Sequence, residues 1–244
     1  MRTIRVIGIG AGDPDYITAQ AVAALNDTQV FFAMDKGEDK DDLVALRREI
    51  CRRFITRPGY RFVELTDPPR ARDGDYRQAV TDWHEARAAL WAAAIESELG
   101  PDGTGGFLAW GDPSLYDSTL RILDLVRAHV DIDYHVIPGI TAIQALTARH
   151  RIPLNDVGEP VLITTGRQLR AGGLSGAAVV MLDGECSFLQ CPPATRIWWG
   201  AYLGTPDEML MTGTVGEVGE RIAALRAAAR ARHGWIMDTY LLRP

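Results

Sequence analysis

Through its first 137 residues the chain alternates short apolar runs with segments of helical period, and this alternation restricts the fold more than any other feature. Arg5–Ile9, Val30–Met34, Arg61–Leu65, Phe107–Trp110 and Ile132–Ile137 read as strands. Between them, Ile17, Ala21 and Leu25, then Leu43, Leu46, Ile50 and Phe54, recur at helical spacing. The second of these helices opens on Asp41 and Asp42, acidic residues that suit a first turn. Tyr76–Leu99 and Ser118–His129 complete the helical set. Strands separated by helices pair in parallel, because each crossover returns the chain along a sheet face. After Pro138 the pattern changes. Val161–Thr165, Ala177–Leu182, Ile197–Leu203 and Trp235–Leu242 are strand-like, and Glu217–Arg232 gives the one long helical signal. The expected fold class is therefore α/β, with two unlike α/β domains, 1–129 and 132–244.

Three Gly/Pro turns follow strands: Gly8-Ile9-Gly10-Ala11-Gly12-Asp13-Pro14, Gly111-Asp112-Pro113, and Ile137-Pro138-Gly139-Ile140-Thr141-Ala142. The first is half a dinucleotide fingerprint, but Asp13 stands where the third glycine belongs. A carboxylate there would face a pyrophosphate, and Pro14 has no amide to donate. Glycine lets backbone approach a ligand closely, while Asp carboxylates and backbone groups pair with hydroxyls, an amine or a cation. The three turns thus fit a cleft for a compact ligand, better a cationic one than a phosphorylated one.

Composition removes other classes. Among 244 residues, 32 acidic and 26 basic side chains give a formal charge of −6, the wrong balance for a general nucleic-acid binder. No apolar run reaches ~18 residues, so no membrane span is expected, and the first residues enter a strand without a signal-peptide pattern. The expected location is the cytoplasm. Cys51, Cys186 and Cys191 form neither a disulfide framework nor a CxxC site, and the five histidines lack metal-ligand spacing. No metal is expected.

Three ordered motifs carry a resemblance. Val6 to Thr18 resembles the opening signature of the tetrapyrrole (corrin/porphyrin) methylases, although that signature usually has Pro where this chain has Ala11. Leu108 to Tyr116 resembles the second signature and Val136 to Ala142 the third. The segments Phe31 to Arg47, Val180 to Phe188 and Trp198 to Pro206 are similar to the branch that methylates precorrin-5 at C-1 in cobalamin synthesis, with loss of a two-carbon acyl fragment as acetate. The resemblance implies a class III methyltransferase-like fold with the cofactor cleft between two domains, commonly a homodimer, using S-adenosylmethionine. It implies cofactor contacts at Gly10, Ala11, Gly12, Asp13, Trp110, Gly111, Asp112, Leu115, Thr141, Ala142, Met181, Leu182 and Gly204. Another tetrapyrrole or a diphthamide-type methylase, and a nicotinamide-dependent oxidoreductase using the first loop, are the alternatives.

Methyl transfer to an electron-rich carbon makes the substrate the nucleophile, so the protein's task is alignment and exclusion of water. Acetate release adds attack by water on an acyl carbon, for which Asp35 and Tyr116 are the candidate catalytic residues. A precorrin carries many carboxylates, so fixed positive charge is expected at the site. Of 26 basic residues only Lys36 and Lys40 are lysines, and ten arginines fall from Arg47 to Arg87: Arg47, Arg48, Arg52, Arg53, Arg57, Arg61, Arg70, Arg72, Arg77 and Arg87. Arginine binds carboxylate bidentately and keeps its charge. Lys36 and Arg47 are the named candidates for substrate carboxylates.

Overall fold

A computed structural model describes residues 1–35, 41–69 and 76–244, with the side chains at positions 35, 41–44, 76 and 77 also outside the description. These residues form two compact units, Met1–Gly10 with Pro14–Ile140 and Ala11–Asp13 with Thr141–Pro244.

The first unit runs β1 (Arg2–Gly8), α1 (Ala19–Asn26), β2 (Val30–Asp35), α2 (Asp41–Phe54), β3 (Arg61–Thr66), α3 (Tyr76–Glu98), β4 (Thr104–Ala109), α4 (Thr119–Val126) and β5 (Ile132–Ile137). Its strands form one sheet of order β3-β2-β4-β1-β5, and every pairing is parallel. Successive side chains of a strand point to opposite faces. Ile4, Val6, Val30 and Phe32 accordingly join Trp91 and Ile95 of α3 and Ile122 and Val126 of α4 on one face. Ile7 and Phe31 join Leu25 of α1 and Ile50 of α2 on the other. Burial on both faces is why these strands read as apolar runs rather than alternating ones.

The boundary expected at 129–132 is corrected. β5 pairs along its length with β1, Val6 opposite Val136, so it belongs to the first sheet, and the division falls after Ile140.

The second unit runs α5 (Ala142–His150), β6 (Leu162–Thr165), α6 (Gly166–Gly172), β7 (Ala178–Met181), β8 (Arg196–Ala201), β9 (Met209–Thr214), α7 (Val215–His233) and β10 (Asp238–Arg243). Its sheet has order β6-β7-β10-β8-β9, parallel only between β6 and β7. Val180, Trp199, Tyr240 and Leu242 pack with Val218 and Ile222 of α7. All four strands expected here are shorter than their apolar runs. β8 stops at Ala201 because Tyr202 turns left-handed at φ 49°, and Trp235 packs edge-on against Tyr202 at 4.9 Å before β10 begins.

Among the described residues no helix is long and apolar enough to cross a membrane, and no group of three or more His, Cys, Asp and Glu is placed to hold a metal. Burial pushes the Cys51 thiol up to about 12 and also raises Cys186 and Cys191. Since the thiolate is the reactive form, a thiol reagent should modify Cys51 only after unfolding; stoichiometric labelling of the native protein there would contradict its burial.

Candidate functional site

In the first unit, the turns after β1, β4 and β5 meet because glycine leaves no side chain in the way. A Cβ on Gly8 would stand 2.6 Å from the Gly139 nitrogen and 2.9 Å from the Gly111 carbonyl oxygen. Gly10 and Gly111, both with positive φ, exchange backbone hydrogen bonds of 3.3 and 2.9 Å. Asp112 fastens the third turn: its Oδ2 accepts from the Gly139 amide at 2.8 Å and its Oδ1 from the Ser114 amide at 2.8 Å. Burial opposes ionisation of Asp112, but these bonds and one from the Ser114 hydroxyl outweigh it and hold the carboxyl below its ordinary range. Asp112 therefore shapes the loops with its own carboxylate.

The second unit assembles the remaining expected contacts in separate turns. Ala11–Asp13 lies against the turn after β8, close enough that a Cβ on Gly12 (φ 112°) would overlap the Leu203 carbonyl oxygen. Gly204, at φ 76°, donates its amide to Glu208 Oε2 at 2.7 Å. Thr141 caps α5, its hydroxyl accepting from the Ile143 amide at 3.1 Å while Gln144 Oε1 accepts from the Thr141 amide at 3.1 Å. β7 ends in Met181, and Leu182 turns left-handed (φ 52°) with its residue 66% exposed.

Beneath that turn lies a buried polar cluster. The Asp183 carboxylate accepts from the Ser187 amide at 2.6 Å, the Glu185 amide at 3.0 Å and the Tyr240 hydroxyl at 2.6 Å. Arg226 donates to the Asp183 carbonyl, to the Gly184 carbonyl at 3.3 Å and through Nε to Asp238 at 3.0 Å. Asp238 also accepts from Trp199 Nε1 at 2.9 Å. Burial raises the Asp238 carboxyl, with Arg226 and Trp199 pulling the other way.

A cavity of about 230 Å³ opens within the first unit, lined by Phe32, Ala33 and Met34 of β2, Arg47 of α2, Phe62 of β3, Trp83, Arg87 and Trp91 of α3, Phe107 and Leu108 of β4, and Tyr116–Thr119. Within its walls Trp91 stacks on Phe107 at 4.1 Å and donates Nε1 to the Met34 sulfur at 3.0 Å. Arg47 is anchored through Nε to the Leu108 carbonyl at 3.2 Å. Burial lowers the Arg47 guanidinium from its ordinary value, and the neighbouring Asp117 opposes that fall. Tyr116 has φ 53° and is 44% exposed at the cavity.

Arg47 and Tyr116, expected separately, thus share one cavity. The Asp35 side chain and Lys36 lie outside the described residues, as do Lys40, Arg70, Arg72 and the Arg77 side chain. Much of the arginine cluster is used internally. Arg48 pairs with Glu64, Arg52 with Glu49, Arg53 with Asp15, Arg61 with Glu98 and Arg87 with Asp67. Arg57 donates to the Asn26 carbonyl at 3.2 Å. Sequence reasoning missed Asp117, Trp83 and Trp91; the position of Asp117 directly after the second signature was the available signal.

Residues 3–219 match the tetrapyrrole (corrin/porphyrin) methylase family. A Sinorhizobium protein, precorrin-6A synthase [deacetylating], is 52% identical over a 249-residue alignment covering 100% of this chain and 95% of the relative. The crystal structure of a cobalamin synthesis related protein (CobF) from Corynebacterium diphtheriae is 45% identical, with a TM-score of 0.88 and coverage of 100% and 98%. The uroporphyrin-III C-methyltransferase of Thermus thermophilus, solved in complex with S-adenosylhomocysteine, shares the fold at 17% identity, TM-score 0.61 and coverage of 99% and 92%. A family match over residues 3–219, most of the chain, makes this protein a member of the tetrapyrrole (corrin/porphyrin) methylases.

Proposed function

We propose that the protein is an S-adenosylmethionine-dependent C-methyltransferase of cobalamin biosynthesis that methylates precorrin-5 at C-1 and releases acetate, giving precorrin-6A. The observation that carries this reading is 52% identity along the whole chain to a relative named as the deacetylating precorrin-6A synthase.

The turns fit such a cofactor by their donor set. Gly10, Ala11, Gly12, Asp13, Gly111, Asp112, Thr141 and Ala142 include two carboxylates and no basic side chain, which suits a cationic ligand with an amine and hydroxyls. The residues that would hold it are Gly10, Ala11, Gly12, Asp13, Trp110, Gly111, Asp112, Leu115, Thr141, Ala142, Met181, Leu182 and Gly204. Bound there, the cofactor supplies an electrophilic methyl group on sulfonium sulfur. The chain's own residues align the macrocycle carbon and exclude water, a contribution of about 7–11 kcal/mol in favourable cases. Arg47 and Lys36 take substrate carboxylates, and Asp35 and Tyr116 serve the acyl chemistry. The protein works as a cytoplasmic homodimer without a metal, and its partner is the tetrapyrrole rather than nucleic acid or membrane.

Calorimetric titration should show saturable binding of S-adenosylhomocysteine and none of NAD. Precorrin-5 with S-adenosylmethionine should then yield a methylated product and one acetate per turnover. Folded protein that ignores S-adenosylhomocysteine overturns the reading.

A further inference from the structure

We propose that the cavity walled by Trp91 and Phe107 is an acyl pocket, which takes the two-carbon acyl substituent of the macrocycle, with Arg47 at its oxygen and Asp117 activating the water that removes it. The inference rests on the deacylating methyltransferase reading above, and within it moves Arg47 from a substrate carboxylate to the acyl oxygen and the activation of water from Asp35 to Asp117. Size is its first support. At ~30 Å³ per water, a cavity of about 230 Å³ holds roughly eight waters, and pockets for drug-sized ligands begin near 300 Å³. That volume accommodates one acyl group and an attacking water.

The lining is the second support. The stacked indole and phenyl rings of Trp91 and Phe107 present an apolar wall for a methyl group. Arg47, Tyr116 and Asp117 supply a cation, a hydroxyl and a carboxylate on the same cavity. Asp117 is held in place, its Oδ1 accepting from the Thr119 amide at 2.7 Å. Arg87, the cavity's other guanidinium, is bound through Nε to Asp67 at 2.7 Å and lies 3.8 Å over the Trp83 ring, so its charge is committed to the wall.

In the step assigned, Asp117 accepts a proton from water as the water oxygen bonds to the acyl carbon. The bond from that carbon to the macrocycle breaks, and its electron pair stays with the conjugated ring system. Acetic acid departs and ionises to acetate. Charge developing on the acyl oxygen is met by the Arg47 guanidinium and the Tyr116 hydroxyl, fixed donors of the kind that stabilise an oxyanion.

Two measurements test the pocket. First, sodium acetate titrated into the substrate-free protein should shift the indole fluorescence of Trp83 and Trp91, with sodium chloride at equal ionic strength as control. Arg47→Met should abolish that shift while retaining S-adenosylhomocysteine binding. Second, Asp117→Asn should slow acetate release about 100-fold or more, the lower range for loss of a general base, with cofactor affinity unchanged and partial recovery in Asp117→Glu. An acetate response that persists in Arg47→Met, wild-type acetate release in Asp117→Asn, or loss of cofactor binding in parallel with release overturns the pocket. Failure of the wild-type protein to bind S-adenosylhomocysteine instead overturns the methyltransferase reading, and the acetate titration still judges the cavity.

Discussion

Replacing Arg226 with methionine is expected to cost about 3–5 kcal/mol of stability near neutral pH, the range for removing one partner of a buried ion pair. For a chain of this size that corresponds to a melting temperature lower by roughly 10 °C. Methionine keeps an apolar stem but takes away every donor that Arg226 sends to Asp238 and to the Asp183 and Gly184 carbonyls. Asp238 would keep the Trp199 indole, yet its side chain is only 4% exposed and its charge would have no cation. Burial already raises that carboxyl, and loss of the guanidinium raises it further. A group whose folded pKa lies above its unfolded value binds more protons when folded. Stability therefore falls as pH rises from about 3.9, the unfolded value, through the raised folded one. The deficit of Arg226→Met relative to wild type should thus be smaller near pH 5 than near pH 7.5, and Arg226→Met/Asp238→Asn should recover part of it. Denaturant unfolding at both pH values measures this. An equal deficit at the two would remove Asp238 from the account.

The parallel half of the fold is written in the sequence because its central strands, β2, β4 and β1, are buried on two faces. Val30 and Phe32 serve one core and Phe31 the other, so no polar residue interrupts the run. What the run cannot carry is its partner. Ile132–Ile137 looks the same whichever sheet it joins, and only pairing with β1, some 130 residues earlier, assigns it to the first unit. The second half was legible where elements are long, as in α7, and silent where they are short. α6 has seven residues, too few for a helical period to stand out, and β9 includes Gly213. α5 did leave a signal, since Thr141 followed by Gln144 is the capping-box pattern that the structure forms.

At the candidate site, glycine and proline marked the turns, but sequence order did not say what each side chain does. Arg47 and Arg48 are neighbours on α2, about 100° apart around its axis. Arg48 consequently reaches out to Glu64 and lies 4.8 Å over the Phe62 ring, while Arg47 turns to the cavity. A cluster of arginines in sequence is thus several different residues in space. Asp117 belongs to the same lesson. Its place directly after the second signature marks the segment, but its relation to Arg47 depends on packing between α2 and the turn before α4.

Gly139→Ala carries the largest expected effect on the cofactor turns. The added Cβ would overlap the Gly111 carbonyl oxygen and sit 2.9 Å from the Gly8 Cα, with no flexible side chain able to move aside. Overpacking of this kind costs typically ~1–3 kcal/mol when side chains can yield, and here the obstacles are backbone, so the upper end is expected. Relief requires the turn after β5 to withdraw, which breaks the Asp112–Gly139 hydrogen bond of 2.8 Å and frees the Asp112 loop. The expected result is a loss of about 3 kcal/mol in stability and a weakening of S-adenosylhomocysteine binding by at least tenfold, equivalent to about 1.4 kcal/mol. Gly172→Ala is the control, because a Cβ there meets open space at the end of α6 and helix propensity favours alanine by up to about 1 kcal/mol. Calorimetry and thermal unfolding of both variants separate the outcomes. Should Gly139→Ala bind the cofactor product as tightly as Gly172→Ala, the close approach of the three turns would have no part in holding it.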